Sequence, residues 1–529
     1  MSEELKPRRE IGKMVLMLSG ITCIVGSGWL FGAYYVSQLA GPASIFAWVI
    51  GGLAVLLIGL TVVELGTMIP KSGGMIHYLR KSHGPLTGFL GGWANWVAIV
   101  VVIPAEVAAS TQYVASWDYQ WAHALFNPVT GTLTLTGLLF SLGLLVFYFL
   151  LNYWSLQLII KSMKLIIYYK TIVPLLTVVL LVTAAFHASN FDSVNQCFAP
   201  YGWSKVLTAI STCGIIFAFN GFQIPVNLAG ECKNPNKTIP FAVIGSILIC
   251  IVIYVLLQSA FIGALAPSAL IHGWHNVFFS SPYAQMALVL NLNFLAVLLY
   301  IDAFISPSGT GMTYLCTTFR MLYGMNQNKQ MPIFVGKLHP KYRIPRGAIW
   351  VNFIVAVIFL FLFRGWGKLA GVLSVAAVIS YLAGPVAFAT LRKYEAARNR
   401  PFRLPCGGLI APLAFIVCSL VLYWASWPLD GEVIFVILAG LFIYAYYQHK
   451  QGWKTFPKQL KSSVWFIAYM VTIAAISYFG SKDFGGVGDI SVLWSQVIVA
   501  VAAIFFFQWA KLSYYRKNSE EIAAAALVN

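Results

Sequence analysis

Long apolar runs recur along this chain, and they constrain its fold more than any other feature. Runs of about 20 residues, each long enough to cross a hydrocarbon layer of roughly 30 Å as a helix, follow one another from Ile11 to near the C-terminus. Only 9% of the residues are charged, whereas an ordinary soluble domain has about 25%. Because backbone polar groups in lipid must pair within their own segment, the runs predict an all-α polytopic membrane protein.

Fourteen spans account for the apolar runs, and the first is too long for the h-region of a signal peptide, so we expect it to remain as span one. With the N-terminus inside, only Lys205, Arg364, Lys368 and Lys482 of the 34 Lys and Arg residues are external, and Lys170 alone lies well inside a span, away from its ends. The positive-inside rule therefore predicts a multi-pass protein of the cell (inner or plasma) membrane with cytoplasmic N- and C-termini. The predicted spans are 11–38, 43–69, 86–116, 131–151, 164–187, 204–230, 240–265, 285–323, 347–363, 367–391, 409–427, 431–448, 462–481 and 491–512.

Charge and cysteine usage exclude several other classes of protein. The net charge of +18 is spread through short loops, so membrane topology explains it and no nucleic-acid partner is predicted. The eight cysteines form no CxxC pair and lie mostly in apolar runs, which predicts neither a disulfide framework nor a metal site. The sequence has no HExxH motif, P-loop or repeated pore motif, so a membrane enzyme and a channel are weaker interpretations than a transporter.

Two spans contain residues that loosen a helix. Span one carries Gly26-Ser27-Gly28, and span six carries Asn220-Gly221 followed by Pro225, at matching positions in two five-span halves. An unwound turn frees backbone N–H groups for a carboxylate and carbonyls for an ammonium group. Close helix packing is the alternative role for either glycine cluster alone. The pair together predicts a substrate site.

Ionisable residues inside the spans are the second pointer to function. A charge at the bilayer centre costs roughly 2.5 to 3.5 kcal/mol on insertion scales, so such residues usually mark a pathway or a pair. Glu106, Lys170 and Asp302 lie well within spans three, five and eight. Either carboxyl group is a candidate to carry a coupled proton; the alternative is a structural pair with Lys170 or a nearby hydroxyl.

Two further glutamates lie at cytoplasmic span ends. For Glu64 and Glu231 we expect inner-gate ion pairs with basic residues that are close to them in the sequence or the topology, namely Lys71, Arg80, Lys81 and Lys233.

Several motifs resemble the amino acid, polyamine and organocation (APC) transporters. The resemblance covers the first ten spans well and the last four weakly. It rests on Gly26-Ser27-Gly28, Glu64-Leu65, Pro70, Ser72-Gly73-Gly74, Tyr78, Phe217-Ala218-Phe219-Asn220-Gly221-Phe222, Glu231, Lys233-Asn234-Pro235, Ile239-Pro240, Arg320, Tyr323 and Pro332. Within that family, residues 26–31, 151–155 and 302–307 and the fourteen-span length look closest to the bacterial aspartate:proton symporters.

This resemblance implies a fold and a division of the chain. The fold would be a five-plus-five inverted-repeat core, like that of the leucine transporter, with about 14 transmembrane helices. The divisions would be a cytoplasmic N-terminus (1–10), a ten-helix transport core (11–400), four additional helices (401–512) and a cytoplasmic tail (513–529). Alternating access would be the transport mechanism, and a monomer and a homodimer both remain open.

The resemblance also implies a substrate site at the two breaks. The substrate carboxylate would bind the N–H groups of Ser27, Gly28 and Trp29, beside Gly26, and a helix N-terminus is by itself suited to an anion. The amine would be held by carbonyls of Ile24, Phe217 and Asn220. Phe222 matches an aromatic gate, with ordinary packing as its alternative. Asn220 stands where many relatives have glycine, so its side chain is expected to narrow the pocket or bond to the substrate.

Lys170 matches a fifth-span lysine that replaces a sodium ion in relatives, because it follows Asn152 by the same spacing. The resemblance makes it a proton site, and the alternative is a tether to carbonyls of span one and to Thr310. The predicted function is proton-coupled uptake of an acidic amino acid, aspartate or glutamate. An exchanger and a carrier for neutral or cationic amino acids remain alternatives. The expected partners are the amino acid and the lipid bilayer, with the proton as coupling ion and no cofactor.

Overall fold

The computed structural model describes residues 11–70, 75–154, 156–192, 198–340 and 344–516. Some predictions therefore fall outside the described residues. These are the N-terminus 1–10, most of the tail 513–529, Lys71, Ser72-Gly73-Gly74, Ser155 and Cys197.

The described chain is almost entirely helical. Its first half contains α1 (Lys13–Ile24), α2 (Gly28–Ala40), α3 (Ser44–Met68), α4 (Met75–Val114), α5 (Gln120–His123), α6 (Leu135–Trp154), α7 (Leu156–Ala184), α8 (Ser189–Asp192), α9 (Trp203–Thr212), α10 (Ile215–Phe219) and α11 (Ile224–Asn227). Two short antiparallel strands, β1 (Phe126–Asn127) and β2 (Thr132–Leu133), precede α6.

The second half continues in the same way. It contains α12 (Pro235–Ala264), α13 (Pro282–Val289), α14 (Asn293–Gln327), α15 (Ile333–Gly336), α16 (Arg346–Phe363), α17 (Trp366–Tyr381), α18 (Ala383–Tyr394), α19 (Gly407–Trp424), α20 (Leu429–Gln451), α21 (Phe456–Phe479) and α22 (Val492–Leu512). Single 3-10 turns lie at Gly41–Ala43, Ala229–Glu231, Pro267–Leu270, Trp274–Asn276 and Lys482–Phe484.

By length and composition, 11 helices of the described residues could cross a membrane, or 12 if the bent pair of 203–212 and 215–227 is one span. This count takes Gly28–Met68 as one helix of 41 residues and leaves out Tyr168–Ala184 as too short. A helix of 41 residues would be about 60 Å long, twice the hydrocarbon thickness. The 3-10 turn at Gly41–Ala43 divides it, and α7 is 29 residues long as a whole, so the helices agree with about 14 spans.

Several predicted span boundaries differ from those of the helices, and two of the differences have a local cause in the chain. The apolar run predicted from residue 86 lies in a longer helix that starts at Met75, and Gly84 (φ 86°) bends it. The predicted span 285–323 is two elements, because α13 ends at Val289 and α14 starts at Asn293. Asn291, with φ 58°, turns the chain between them, and a left-handed residue of this kind is commonest for asparagine and glycine.

The burial of the spans shows where the centre of the molecule lies. The most apolar window of Trp366–Tyr394 is wholly buried, whereas that of Arg346–Phe363 is 28% buried. Small residues, including Gly371, Ala376 and Ala377, let neighbouring helices approach α17 closely. Helix α4 packs against both α14 and α17, and α17 also packs against α9 and α10 of the second broken span. Helices α16, α20 and α22 present apolar side chains outward, where lipid would lie.

Candidate functional site

The first break lies between α1 and α2. Helix α1 ends at Ile24 and α2 begins at Gly28, so Val25, Gly26 and Ser27 form the non-helical turn. The first N–H groups of α2 have no carbonyl partner within the helix. Ser27 does not cap them with its side chain; its hydroxyl instead accepts a hydrogen bond from the Trp366 indole at 2.8 Å. The start of α2 is thus left as a cluster of donors.

The second break separates α10 from α11. Helix α10 ends at Phe219, and Gly221 has φ 116°, a conformation that side chains rarely adopt. A Cβ atom at Gly221 would lie 2.7 Å from the backbone of Cys23 in α1. A Cβ at Gly28 would lie 2.8 Å from that of Ala218. The glycines therefore permit both the turns and the close contact of the two breaks.

Tyr254 of α12 joins the two broken spans. Its hydroxyl lies 3.1 Å from the Ile24 carbonyl and 2.9 Å from the Ala218 carbonyl. The Ile24 carbonyl also accepts from the Gly26 N–H at 3.0 Å, and it shares the single Tyr254 proton with the Ala218 carbonyl. A substrate amine could use the Ile24 carbonyl only by displacing one of these contacts.

Lys170 lies in the middle of the protein and is 2% exposed. Its ammonium group donates to the Thr310 hydroxyl at 2.6 Å and to the Thr22 carbonyl at 3.3 Å. Helices α1, α7 and α14 thus meet at this one cation. Both Glu106 and Asp302 lie within electrostatic range of it.

The two carboxyl groups have different neighbours. Glu106 Oε1 lies 3.4 Å from the Ser27 N–H, one of the donors predicted to bind the substrate carboxylate. Asp302 Oδ1 accepts from the Ser306 hydroxyl at 2.7 Å. Among the described residues, no group donates to Glu106 Oε2 or Asp302 Oδ2, although both atoms are buried. Each carboxyl group therefore has one oxygen whose bonding capacity the protein does not use.

A small cavity lies at the meeting point of the breaks. Its volume of about 10 Å³ is close to the space that one water molecule requires, so an amino acid could enter only if the surrounding helices moved apart. Its lining includes six of the predicted site residues. They are Ile24, Gly26, Glu106, Phe217, Asn220 and Thr310.

Three polar atoms on the lining residues have no partner among the described residues. They belong to the Glu106 carboxyl, the Asn220 amide nitrogen and the Tyr314 hydroxyl. Asn220 is oriented by its amide oxygen, which accepts from Tyr381 and Gln223 at 3.0 Å each. Buried polar groups normally have partners, so a cluster that lacks them indicates a place for a polar ligand.

Other predicted residues lie just outside the lining. Ser27, Gly28 and Trp29 start α2, and the Trp29 ring packs against Tyr283 at 5.6 Å. Phe222 is fully buried with its ring against Tyr381, at 5.1 Å, and does not line the cavity. In this conformation it packs in the core beside the break.

Sequence reasoning did not identify Tyr254, Tyr314, Trp366 and Tyr381 as site residues. All four have a polar group on an aromatic ring, and all are buried or nearly so. The available signal is general, because an indole or hydroxyl placed deep in a span needs a partner. Trp366 also stacks on Phe31 and Tyr35 at 5.1 and 5.6 Å, forming an aromatic cover beside the first break.

Glu64 forms ion pairs at the inner face, but the residues predicted to be its partners are wrong. Its carboxylate accepts two hydrogen bonds from Arg392, a further one from the Leu404 N–H at 2.7 Å, and lies 3.4 Å from Arg400. Arg392 lies in the last turn of α18, and Arg400 and Leu404 follow that helix. All three are more than 300 positions from Glu64, so sequence proximity could not reveal them. Lys81 instead pairs with Glu395 at 2.9 Å. Glu231 forms no ion pair with the described residues, although its carbonyl accepts from the Ile11 N–H at 3.1 Å.

Two broken helices that meet around unpartnered polar groups, inside a bundle of apolar spans, are typical of secondary transporters with a central substrate site. Residues 13–432 match the family described as amino acid permease. The chain therefore belongs to that family, within the APC superfamily, and is an amino-acid transporter.

Individual relatives in Bacillus subtilis (strain 168) match nearly the whole chain. The glutamate/serine transporter AimA is 52% identical over 524 residues, which cover 98% of this chain and 97% of AimA. The aspartate-proton symporter is 35% identical over 517 residues, covering 97% and 98%. The serine/threonine exchanger SteT is 27% identical over 449 residues, covering 83% and 96%.

Proposed function

We propose that this transporter takes up an acidic amino acid, glutamate or aspartate, together with a proton, and that serine is a further substrate. The names of the two relatives above 30% identity, a glutamate/serine transporter and an aspartate-proton symporter, support this substrate class. The observation that carries the proposal is the cavity at the breaks, with its unpartnered Glu106, Asn220 and Tyr314 groups.

Each of these groups has a role in the proposal. The Asn220 amide and the Tyr314 hydroxyl are donors suited to a substrate carboxylate or hydroxyl. Lys170 contributes the positive charge that an acidic side chain needs in a medium of low dielectric constant. Glutamate and serine both present oxygen at the end of a short side chain, so a site built of donors can accept both.

Proton coupling would act through Glu106. While Glu106 is ionised, its carboxylate competes for the Ser27 N–H with the carboxylate of the substrate. Protonation removes this competition, since a neutral carboxyl group is a weaker acceptor than a carboxylate. The proton and the substrate would then bind together, and alternating access would carry both across the membrane.

The test is uptake of labelled glutamate, aspartate, serine and a panel of basic and large neutral amino acids into proteoliposomes, with and without an inward proton gradient. We expect the gradient to raise uptake of the acidic substrates. Uptake that ignores the gradient and requires amino acid inside the vesicles would instead establish an exchanger, as the name of SteT describes.

The placement of the carboxylate site has a separate test. In Gly28→Leu, the new side chain would collide with Ala218, whose Cβ is 2.8 Å from the position of the first added atom. We expect substrate binding to be lost. Gly143→Leu is the matched control, because a Cβ at Gly143 meets nothing within 4 Å. Unchanged affinity in Gly28→Leu would reject this placement.

A further inference from the structure

A second cavity lies far along the helices from the breaks and shares no lining residue with the cavity there. Its volume is about 160 Å³, much larger than the cavity at the breaks. It is bounded by the start of α4, the turn after α14, and the facing ends of α20 and α21. It thus lies between the transport core and the additional helices.

The lining of this cavity is polar and contains no carboxylate. Arg80 is the charged member, and it makes no hydrogen bond or ion pair with any residue that the structure describes. The other side chains are mainly amides, contributed by Asn328, Gln330, Gln448, Gln451 and Gln459. An arginine that faces a cavity without an acid is suited to bind an anion, and phosphate in particular matches its donors.

The amide groups are held in place by the surrounding backbone. Gln448 donates to the Gly452 carbonyl at 2.8 Å, and Gln451 donates to the Lys329 carbonyl at 2.6 Å. No described residue donates to the amide oxygens of Gln448 or Gln451, so they remain acceptors for a ligand. A ligand that satisfies the whole site would therefore combine a phosphate for Arg80 with hydroxyl groups for these oxygens.

The surroundings of the cavity resemble a membrane interface. Lys450 lies 4.5 Å from the ring of Tyr446 and 5.9 Å from that of Tyr447, which lines the cavity. Tyr446 and Trp453 are 54% and 45% exposed. Exposed aromatic and basic residues at helix ends are typical of the level of the lipid headgroups.

We propose that this cavity binds a phosphorylated polyol, either the headgroup of a glycerol phospholipid or the soluble glycerol phosphate of the same chemistry. The ligand would bridge α4 of the transport core to α20 and α21. Such a bridge would stabilise the folded protein by RT ln(1 + L/Kd), where L is the concentration of free ligand.

The experiment is thermal unfolding of the purified full-length protein in detergent, with four separate additions: inorganic phosphate, glycerol phosphate, phosphatidylglycerol, and phosphatidylcholine as the lipid that lacks free hydroxyls. We expect phosphatidylglycerol to raise the unfolding midpoint more than phosphatidylcholine does. If glycerol phosphate alone produces the shift, the ligand is the soluble compound, and the site stands.

Variants distinguish this site from general charge effects. Arg80→Gln should weaken the response at least about tenfold in ligand concentration, because it removes a charged hydrogen-bond donor. Arg403→Gln, which removes an exposed arginine, should leave the response unchanged. If Arg80→Gln does not fold, Asn328→Asp tests the site by placing a negative charge in its wall. Equal responses of the wild type and both cavity variants, or no response of the wild type to any addition, would overturn the proposal.

Discussion

Two groups of buried charged residues in the described chain differ in how fully their hydrogen bonds are satisfied. At the inner face, both oxygens of Glu64 are occupied by Arg392, Arg400 and the Leu404 N–H. In the centre, Glu106 and Asp302 each have an oxygen that no described residue serves. A carboxylate whose oxygens are both hydrogen-bonded holds structural elements together. A carboxylate with one oxygen left without a donor can still bind a proton or a substrate. Burial alone therefore does not identify a functional charge.

The largest loss of stability is expected when the fully hydrogen-bonded carboxylate of Glu64 is removed. Glu64→Ala should reduce the free energy of unfolding by about 3 kcal/mol, because it leaves two arginines without their shared partner in a buried setting. The side chains of Glu64 and Arg400 are 2% and 10% exposed. Chemical denaturation in detergent measures this loss. The control is Glu395→Ala, which removes more exposed ion pairs and should cost less than about 1 kcal/mol.

Lys170→Met should have the next largest effect, and this effect should be on transport. Glu106 and Asp302 would lose the one cation that acts on them among the described residues. We therefore expect the stimulation of uptake by a proton gradient to fall at least about tenfold. Thr310→Val removes the 2.6 Å contact but keeps the charge, so the gradient response should persist in it. If Thr310→Val loses as much as Lys170→Met, the tether matters and the charge does not.

Glu106→Gln distinguishes the central carboxyl groups from Glu64 most clearly, because it should change function but hardly change stability. The amide has nearly the shape of the carboxyl group, so the stability should change by less than about 1 kcal/mol. Substrate binding should become independent of pH, because the competition for the Ser27 N–H no longer depends on a proton. Binding measured across a pH series in detergent checks this. A pH dependence equal to that of the wild type would move the coupling role away from Glu106.

Asp302→Asn is expected to have the smallest effect. Asp302 accepts from Ser306 in its own helix, and the amide oxygen of asparagine can accept the same bond. Uptake should fall only about two- to threefold if Glu106 carries the proton. Complete loss of proton flux in Asp302→Asn, with flux retained in Glu106→Gln, would reverse the assignment of the two carboxyl groups.

The fold and the two breaks were accessible to sequence reasoning because they rest on local patterns. The apolar runs give the spans, and Gly26, Gly28 and Gly221 permit turns that only small residues allow. The family resemblance supplied one contact across the fold, the tether of Lys170 to span one and Thr310. Other contacts across the fold were not accessible. The pairing of Glu64 with Arg392 and the placement of Trp366 on Ser27 join positions more than 300 residues apart, and no local pattern encodes them.

The Tyr254 contact has a consequence for the speed of transport. One hydroxyl carries one proton, yet it lies between carbonyls of both broken spans, so at any instant it can complete only one strong bond. When the spans separate, the proton can remain with one of them, and the other gives up a weak contact. Opening of the closed arrangement would therefore break no full hydrogen bond at this point, which would lower the barrier to a helix motion of the microsecond to millisecond kind.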